Sequence, residues 1–535
     1  MGWNYGDILD AIAPVVPPDH PALVHGDRTI TWESFDRRTN RLARALLAHG
    51  LNTGDKVAIY MRNRPEYMEC VAACFKARLV HVNVNYRYRE EELHYLLDDS
   101  DAAAVVFEPE FAELATTLQP RLPKVQIWAQ TWADGPAPDF AYGYEAFAGE
   151  GDDSPLGIER SPDDLFFIYT GGTTGMPKGV MWRADDLRQA QLQVPILEKV
   201  PRDLAEHVDI VATDCPGTCL LPACPQMHGT GLVTSVGAIA MGGTVVTMEG
   251  ATFDADELWD QAARNRVQQI AIVGDVFANP MLEALERNPG AYDLSNLAAI
   301  VSSGVMWSIE NKRGLLRHLP QVAMLDSFGA SEAVGFGLSI TTADGEWRTA
   351  KFELGEQVKV FTEDGREVTP GSDEPGQVAR SGPIPVGYYK DPEKTASTFK
   401  TIDGVRYSIP GDWCRVEADG GLTLLGRGSV CINTGGEKVY PEEVEEVLKQ
   451  HPDVADALVV GVPDPRWGQA VTGIVQPRNG ATFDETNLRA YVRGHLAGYK
   501  TPKRILPIGD MARGPNGKAD YKKAAAFAQS ALTAE

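Results

Sequence analysis

The run Tyr169-Thr170-Gly171-Gly172-Thr173-Thr174-Gly175-Met176-Pro177-Lys178-Gly179 follows the apolar stretch Leu165-Phe166-Phe167-Ile168. An apolar segment that ends in a Gly/Thr cluster reads as a buried strand opening into a loop. Four glycines let backbone N–H groups turn toward a ligand, three threonine hydroxyls add donors, and Lys178 adds a fixed positive charge. These are the requirements of a polyphosphate cradle. The spacing is not that of the Gly-x-x-x-x-Gly-Lys-Ser/Thr P-loop. Taken alone, the loop also reads as a Gly/Thr-rich surface turn closed by Pro-Lys-Gly, and the rest of the chain decides between the two.

A chain of 535 residues is too long for one core, so two or more domains are expected. With 43% hydrophobic and 23% charged residues it has the composition of a globular protein. A net charge of −24 argues against nucleic acid or an anionic membrane as the main partner. The cysteine count is odd and holds no Cys-x-x-Cys pair, so neither a disulfide framework nor a zinc site is indicated. Cys215, Cys219 and Cys224 read as buried small hydrophobes. The N-terminus lacks the basic flank and apolar core of a signal peptide. The uncharged run 215–248 is broken by three prolines and by Gly242-Gly243, which suits a buried helix over 231–241 and a strand over 244–248 better than a membrane span. A cytoplasmic protein without an integral membrane segment is expected, and self-association is left open.

Helical and strand patterns alternate along the first lobe. Phe35, Leu42, Ala43 and Leu46 mark one helical face, and strands are predicted over 56–60, 102–107, 125–129, 244–248, 267–273 and 298–302. This alternation argues for α/β layers with largely parallel sheets. Residues 132–164, rich in Gly, Pro and acids, read as an exposed connector. After about residue 355, short strands over 358–361, 377–380 and 422–425 are punctuated by Asp364-Gly365, Pro370-Gly371 and Asp419-Gly420-Gly421, the marks of an antiparallel subdomain. A helix from Pro441-Glu442-Glu443 and a strand over 457–462 then open a small α+β domain.

Further motifs follow in order: Ser302-Ser303-Gly304-Val305, Asp326-Ser327-Phe328-Gly329-Ala330-Ser331-Glu332, Gly411-Asp412-Trp413, Gly426-Arg427, and Arg513-Gly514-Pro515-Asn516-Gly517-Lys518. With the Gly/Thr loop, this set resembles the adenylate-forming superfamily of acyl-CoA synthetases, luciferases and peptide-synthetase adenylation domains. The resemblance covers nearly the whole chain. It implies an N-terminal domain over 1–428, a hinge at Ser429, and a mobile C-terminal domain over 429–535. It also implies ATP, Mg²⁺ and CoA as co-substrates. A carboxylate attacks the α-phosphate to give acyl-AMP and pyrophosphate, and a thiol then displaces AMP.

On that resemblance, Thr170, Gly171, Gly172, Thr173, Thr174, Gly175 and Lys178 hold the β- and γ-phosphates. Ser303, Gly304, Val305, Asp326, Ser327, Gly329 and Ala330 border the nucleotide. Phe328 stacks on adenine, with core packing as its alternative, and Ser331 touches phosphate. Glu332 holds Mg²⁺, a hard cation suited to carboxylate oxygen; its alternative is a solvated strand-end Glu. Asp412 accepts from the ribose hydroxyls, and Arg427 reaches ribose or phosphate unless it makes a surface ion pair. Lys518 swings in as the catalytic lysine, beside Thr170 and Glu332; its alternative is a solvated turn. Gly435, Gly436, Glu437 and Lys438 line the thiol entrance, or form a tight turn before Pro441. Three residues depart from the common pattern: Gly171 stands for a frequent Ser, Ser331 for Thr, and Ser429 for Asp or Lys.

The stretch Leu221-Pro222-Ala223-Cys224-Pro225-Gln226-Met227-His228-Gly229-Thr230-Gly231 resembles the border of the acyl pocket and contains no Asp to pair with an amino group. On that likeness His228 and Gly229 are pocket candidates, with a satisfied structural histidine the alternative for His228. Val276, Phe277, Met281 and Met306 are candidates for an apolar wall, with core packing the alternative for each. The run 426–446 looks most like bacterial ligases for fatty acids or sterol side-chain acids, with an aryl acid left open. An acyl carrier protein as acceptor, luciferase-like oxidation, or a non-catalytic ATP sensor are the remaining alternatives.

Overall fold

The computed structural model describes residues 2–131, 135–170, 176–193, 199–305, 307–345, 351–427, 430–434, 437–464, 467–496, 498–511, 513 and 519–534. For 351, 427, 433, 437, 438 and 534 only the backbone is described. The expected site residues Gly171, Gly172, Thr173, Thr174, Gly175, Ser429, Gly435, Gly436 and Lys518, with Met306, lie outside these residues.

Two parallel sheets carry the first lobe. In one, the strands Pro21–His25, Thr244–Thr247, Cys219–Pro222, Gln269–Ile272, Ala299–Ser303 and Ala323–Ala330 lie side by side, all parallel. In the other, the order is Val80–Asn83, Lys56–Tyr60, Ala102–Phe107, Ile127–Gln130 and Tyr142–Gly143, again all parallel. Strands covered on both faces read as continuous apolar runs, and every residue of Ala102–Phe107 is buried. The helix Trp32–Ala48 starts at Thr31, whose side chain accepts from the Ser34 N–H. Its expected face, Phe35, Leu42, Ala43 and Leu46, is buried in the core between the layers.

The first sheet continues through the antiparallel hairpin Ala323–Ala330/Ala333–Thr341 into the strands Lys351–Leu354, Leu422–Arg427, Asp412–Val416 and Gly376–Arg380. The antiparallel character expected after residue 355 is thus an extension of one sheet. A third, three-stranded antiparallel sheet joins Gly387–Tyr388, Lys178–Arg183 and Leu165–Thr170. The last sheet holds Glu437–Val439, Ile432–Thr434, Gly468–Pro477, Val454–Asp464 and Arg504–Pro507 around its own apolar cluster.

Three expectations need correction. The segment 132–164 is not merely an exposed connector: Tyr142–Gly143 adds a strand, and the short helix Tyr144–Ala148 buries Tyr144, Phe147 and Ala148. An apolar i, i+3, i+4 triad was hidden by its acidic and Gly-rich flanks. The strand placed at 125–129 is Ile127–Gln130, because Pro123-Lys124 delays its start. Cys224 is buried as expected, but Cys215 and Cys219 are half-buried; none of the seven cysteines is in a disulfide.

Candidate active site

The strand Leu165–Thr170 ends where the Gly/Thr loop begins, and in its ladder Thr170 stands opposite Lys178. The two residues expected to flank the phosphates are therefore cross-strand neighbours. The Lys178 ammonium is paired with Asp391. Asp391 also caps the helix Pro392–Thr398, accepting from Lys394 N–H at 2.8 Å. The hydrogen bond from Lys178 holds the Asp391 carboxyl below its usual range.

Ser331 and Glu332 form the tip of a tight hairpin, since Ala330 pairs directly with Ala333. The three-stranded sheet holds this tip from below. Trp182, fully buried, donates its indole N–H to the Ser331 carbonyl at 2.9 Å. Tyr388 donates its phenol to Glu332 Oε1 at 2.6 Å, and Ser408 Oγ donates to the Glu332 carbonyl at 2.7 Å. Glu332 keeps acceptor capacity beyond that one phenol, so its donor chemistry fits a hard cation.

Two more elements converge on the tip. The helix Gly229–Ala240 begins beside it: a Cβ placed on Gly229 would lie 4.0 Å from Ser331 Oγ. The positive end of the helix dipole therefore lies beside the hairpin. One residue on, Thr230 Oγ1 donates to the Ser303 carbonyl at 3.5 Å. Ser303 ends the strand Ala299–Ser303 in register with Ser327. Gly304 then turns the chain with φ +91°, a conformation that favours glycine. Val305 packs partly buried against the main core.

The other expected residues differ in burial. Phe328 is 8% exposed and tilted against Phe336 and Phe352, with ring centroids 5.1 and 5.3 Å away. Asp326 turns its carboxylate to Lys312 at 2.7 Å; both are buried. Burial raises the Asp326 carboxyl pKa, and the Lys312 charge opposes that rise. Asp412 is buried and stands opposite Arg427 in its hairpin ladder. Phe277 packs edge-on against Phe253 at 4.9 Å, and Met281 is wholly buried, so both belong to the core. Val276 is exposed, and His228 is half-buried at the helix start.

Sequence reasoning missed Trp182, Tyr388, Ser408 and Asp391. For Asp391 a local signal existed, since Asp-Pro-Glu before a polar stretch marks a helix start. The other three act through tertiary contacts that spacing does not reveal.

Comparison with known proteins identifies the family. The AMP-binding enzyme family matches residues 11–389, and the AMP-binding enzyme C-terminal domain matches residues 443–518. A medium/long-chain-fatty-acid–CoA/3-oxocholest-4-en-26-oate–CoA ligase of Mycobacterium marinum is 42% identical, covering 98% of this chain and 96% of the relative. A 3-oxocholest-4-en-26-oate–CoA ligase of Rhodococcus rhodochrous is 41% identical, covering 98% and 95%. The ATP-bound crystal structure of MatB from Rhodopseudomonas palustris superposes with a TM-score of 0.82 at 25% identity, covering 99% of this chain and 100% of that one. With a family match spanning most of its length and relatives above 40% identity end to end, the chain belongs to the AMP-binding enzyme family.

Proposed function

We propose that this protein is an AMP-forming acyl-CoA ligase for a hydrophobic carboxylic acid of the medium/long-chain fatty or sterol side-chain class. One observation carries the reading. The Ser331–Glu332 tip, the start of the helix Gly229–Ala240 and the Ser303-Gly304 turn meet at one place, and Trp182 and Tyr388 tie that place to the strand pair bearing Thr170 and Lys178. A carboxylate must be activated before a thiol can displace its oxygen, and this arrangement supplies what activation needs. The carboxylate oxygen attacks the α-phosphorus, the bond to pyrophosphate breaks, and the developing charge lies near a helix N-terminus and a hard-cation ligand. In the second step the CoA sulfur attacks the acyl carbonyl, and the bond to AMP breaks.

Within this reading Thr170, Lys178 and the loop 171–175 cradle the β- and γ-phosphates. Glu332 holds Mg²⁺ delivered with ATP, and Asp412 and Arg427 hold the ribose. Phe328 offers a ring edge or face beside the adenine position, and Lys518 contacts the carboxylate and the forming adenylate. Residues 1–428 and 429–535 act as two domains hinged at Ser429, and the loop from Gly435 to Lys438 admits the thiol. His228, Gly229 and Val276 border the acyl group. Among the described residues no helix is long and apolar enough to cross a membrane. We place the protein in the cytoplasm and leave self-association open.

The test is acid-dependent pyrophosphate release with ATP and Mg²⁺, with and without CoA, across short to long fatty acids, benzoates and a sterol side-chain acid. Turnover needing CoA and a long or sterol acid is expected. Release indifferent to CoA would assign another acceptor, preference for benzoates would make it an aryl-acid ligase, and silence would overturn the reading. Lys518→Ala should abolish pyrophosphate release yet spare thioester formation from supplied acyl-AMP.

A further inference from the structure

Two asparagines outside every motif, Asn63 and Asn83, each close three hydrogen bonds at the junction of the candidate acyl and phosphate elements. Asn83, the last residue of the strand Val80–Asn83, is 3% exposed. Its Nδ2 donates to the Tyr169 carbonyl at 2.9 Å and to the Met227 carbonyl at 2.6 Å, and its Oδ1 accepts from Tyr169 N–H at 2.7 Å. Asn63, between the strand Lys56–Tyr60 and the helix Pro65–Ala77, repeats the pattern. Its Nδ2 donates to the carbonyls of Pro222 and Cys224 at 3.1 and 3.0 Å, and its Oδ1 accepts from Gln226 N–H at 2.7 Å. The amide orientation is fixed in both cases, because only NH₂ can meet two carbonyls and only oxygen can meet a backbone N–H.

The partners give the contacts their meaning. Leu165–Thr170 is the edge strand of its sheet, with Tyr169 opposite Gly179 on the paired side. On the open side the Asn83 amide takes both backbone groups of Tyr169, as a neighbouring strand would. Two residues earlier along the same strand, His81 Nδ1 meets the Phe167 carbonyl at 3.2 Å. Tyr169 immediately precedes Thr170, and Met227 immediately precedes His228. One amide therefore sets the separation between the entry to the phosphate loop and the entry to the helix Gly229–Ala240. Asn63 holds the upstream half of the same loop, and Gly231 lets the helix close on it, since a Cβ there would meet the Pro225 and Cys224 carbonyl oxygens at 2.7 and 2.9 Å.

We propose that Asn63 and Asn83 are positioning residues: a paired amide clamp that fixes the acyl-bordering loop 222–228 against the phosphate strand, so that carboxylate and α-phosphate meet in line. The clamp rests on the acyl-adenylate reading above. Its two members have separable effects. Asn83 touches both elements, whereas Asn63 touches the loop alone.

The experiment compares Asn83→Asp and Asn63→Asp with the parent enzyme. Each variant keeps the side-chain shape and the acceptor oxygen but sets a carboxylate oxygen against two carbonyls. Asn83→Asp should lower kcat for acid-dependent pyrophosphate release on the order of 10²-fold, while thioester formation from supplied acyl-AMP stays within about twofold of the parent. Asn63→Asp should raise KM for the acid about tenfold and leave KM for ATP unchanged. A purely structural role would lower thermal stability and leave these constants of the folded protein at parental values, and that result overturns the proposal. Should Asn83→Asp not fold, Asn83→Ser, which retains one donor, is read by the same criteria. If the parent itself releases no pyrophosphate with any acid, the functional reading fails and amide hydrogen exchange judges the clamp. Asn83→Ala must then speed exchange in both 165–170 and 222–230, and Asn63→Ala in 222–230 alone; unchanged exchange overturns it.

Discussion

Glu332, the proposed Mg²⁺ ligand, shows how one side chain is oriented by groups far away in sequence. Its carboxylate accepts from Tyr388 and its carbonyl from Ser408, 56 and 76 residues later. A hydrogen bond to an ionised acceptor is worth about 1.5–3 kcal/mol, enough to hold one rotamer against solvent. Tyr388→Phe should therefore raise the Mg²⁺ concentration needed for half-maximal pyrophosphate release about tenfold, while the fold persists. A magnesium titration of both proteins checks this, and superimposable curves would remove Tyr388 from the metal site. Lys178 presents the opposite case. Its pair with Asp391 is partly exposed, with side chains 39% and 26% accessible, and such pairs contribute about 0–1 kcal/mol. Exchanging Asp391 for a phosphate thus costs little. Lys178→Ala should raise KM for ATP at least about tenfold, whereas Asp391→Asn should shift it less than about fivefold, toward tighter binding. Steady-state kinetics on the two variants separate the roles.

At the scale of elements, legibility in the sequence followed the physics of each signal. The strands Lys56–Tyr60, Ala102–Phe107 and Val358–Phe361 and the helix start at Pro441 coincide with their expected positions, because apolar runs and Pro/acid caps are local properties. The helix Tyr144–Ala148 escaped because two turns or fewer give periodicity little room to register. The site divides in the same way. Ser331 and Glu332 were readable as a motif, but that they cap a hairpin held by Trp182 was not. Asp326 was grouped with the nucleotide residues by its place in the motif, although its carboxylate is engaged by Lys312, fourteen positions upstream on another element. Spacing marks what the backbone repeats; it is blind to which face a strand residue offers. The contact of the helix Gly229–Ala240 with the loop before it gives a prediction at this scale. Gly231→Ala would force a methyl group onto two carbonyl oxygens, and overpacking of this kind costs about 1–3 kcal/mol. The helix start must then move away from the loop, so KM for the acid should rise more than KM for ATP. Equal effects on both would mean that the strain is absorbed elsewhere.

At the scale of the whole molecule, the seam between the C-terminal sheet with its helices and the rest carries a buried acid. Glu446 lies on the helix Pro441–Lys449, whose Val444, Val447 and Leu448 face the core of the C-terminal sheet. Glu446 itself is 8% exposed, and its Oε1 is without a hydrogen-bond partner among the described residues. Across the seam it faces Asp275, Glu310 and Lys312, and Lys449 faces it from its own helix. Burial pushes its carboxyl up to about 7; Asp275 and Glu310 add to the rise, while Lys449 and Lys312 oppose it. The Glu310 carboxyl is raised too, chiefly by burial, with Asp275 adding and Arg313 and Arg478 opposing. The sign follows from linkage. A carboxyl raised in the folded state binds its proton more tightly there, so its stabilising contribution is present below the ordinary glutamate range and is lost as pH climbs toward 7. At pH 8 this docked arrangement must hold an ionised, poorly compensated carboxylate, a penalty of roughly 1–3 kcal/mol. Glu446→Gln keeps the shape and removes the charge. Its Tm should exceed the parent's at pH 8, and the gap should close as pH falls to 5. Thermal unfolding of both proteins at pH 5, 6, 7 and 8 measures that gap; a constant offset across the series would show that Glu446 does not titrate at the seam, and a gap widening toward acid would reverse the sign argued from its burial.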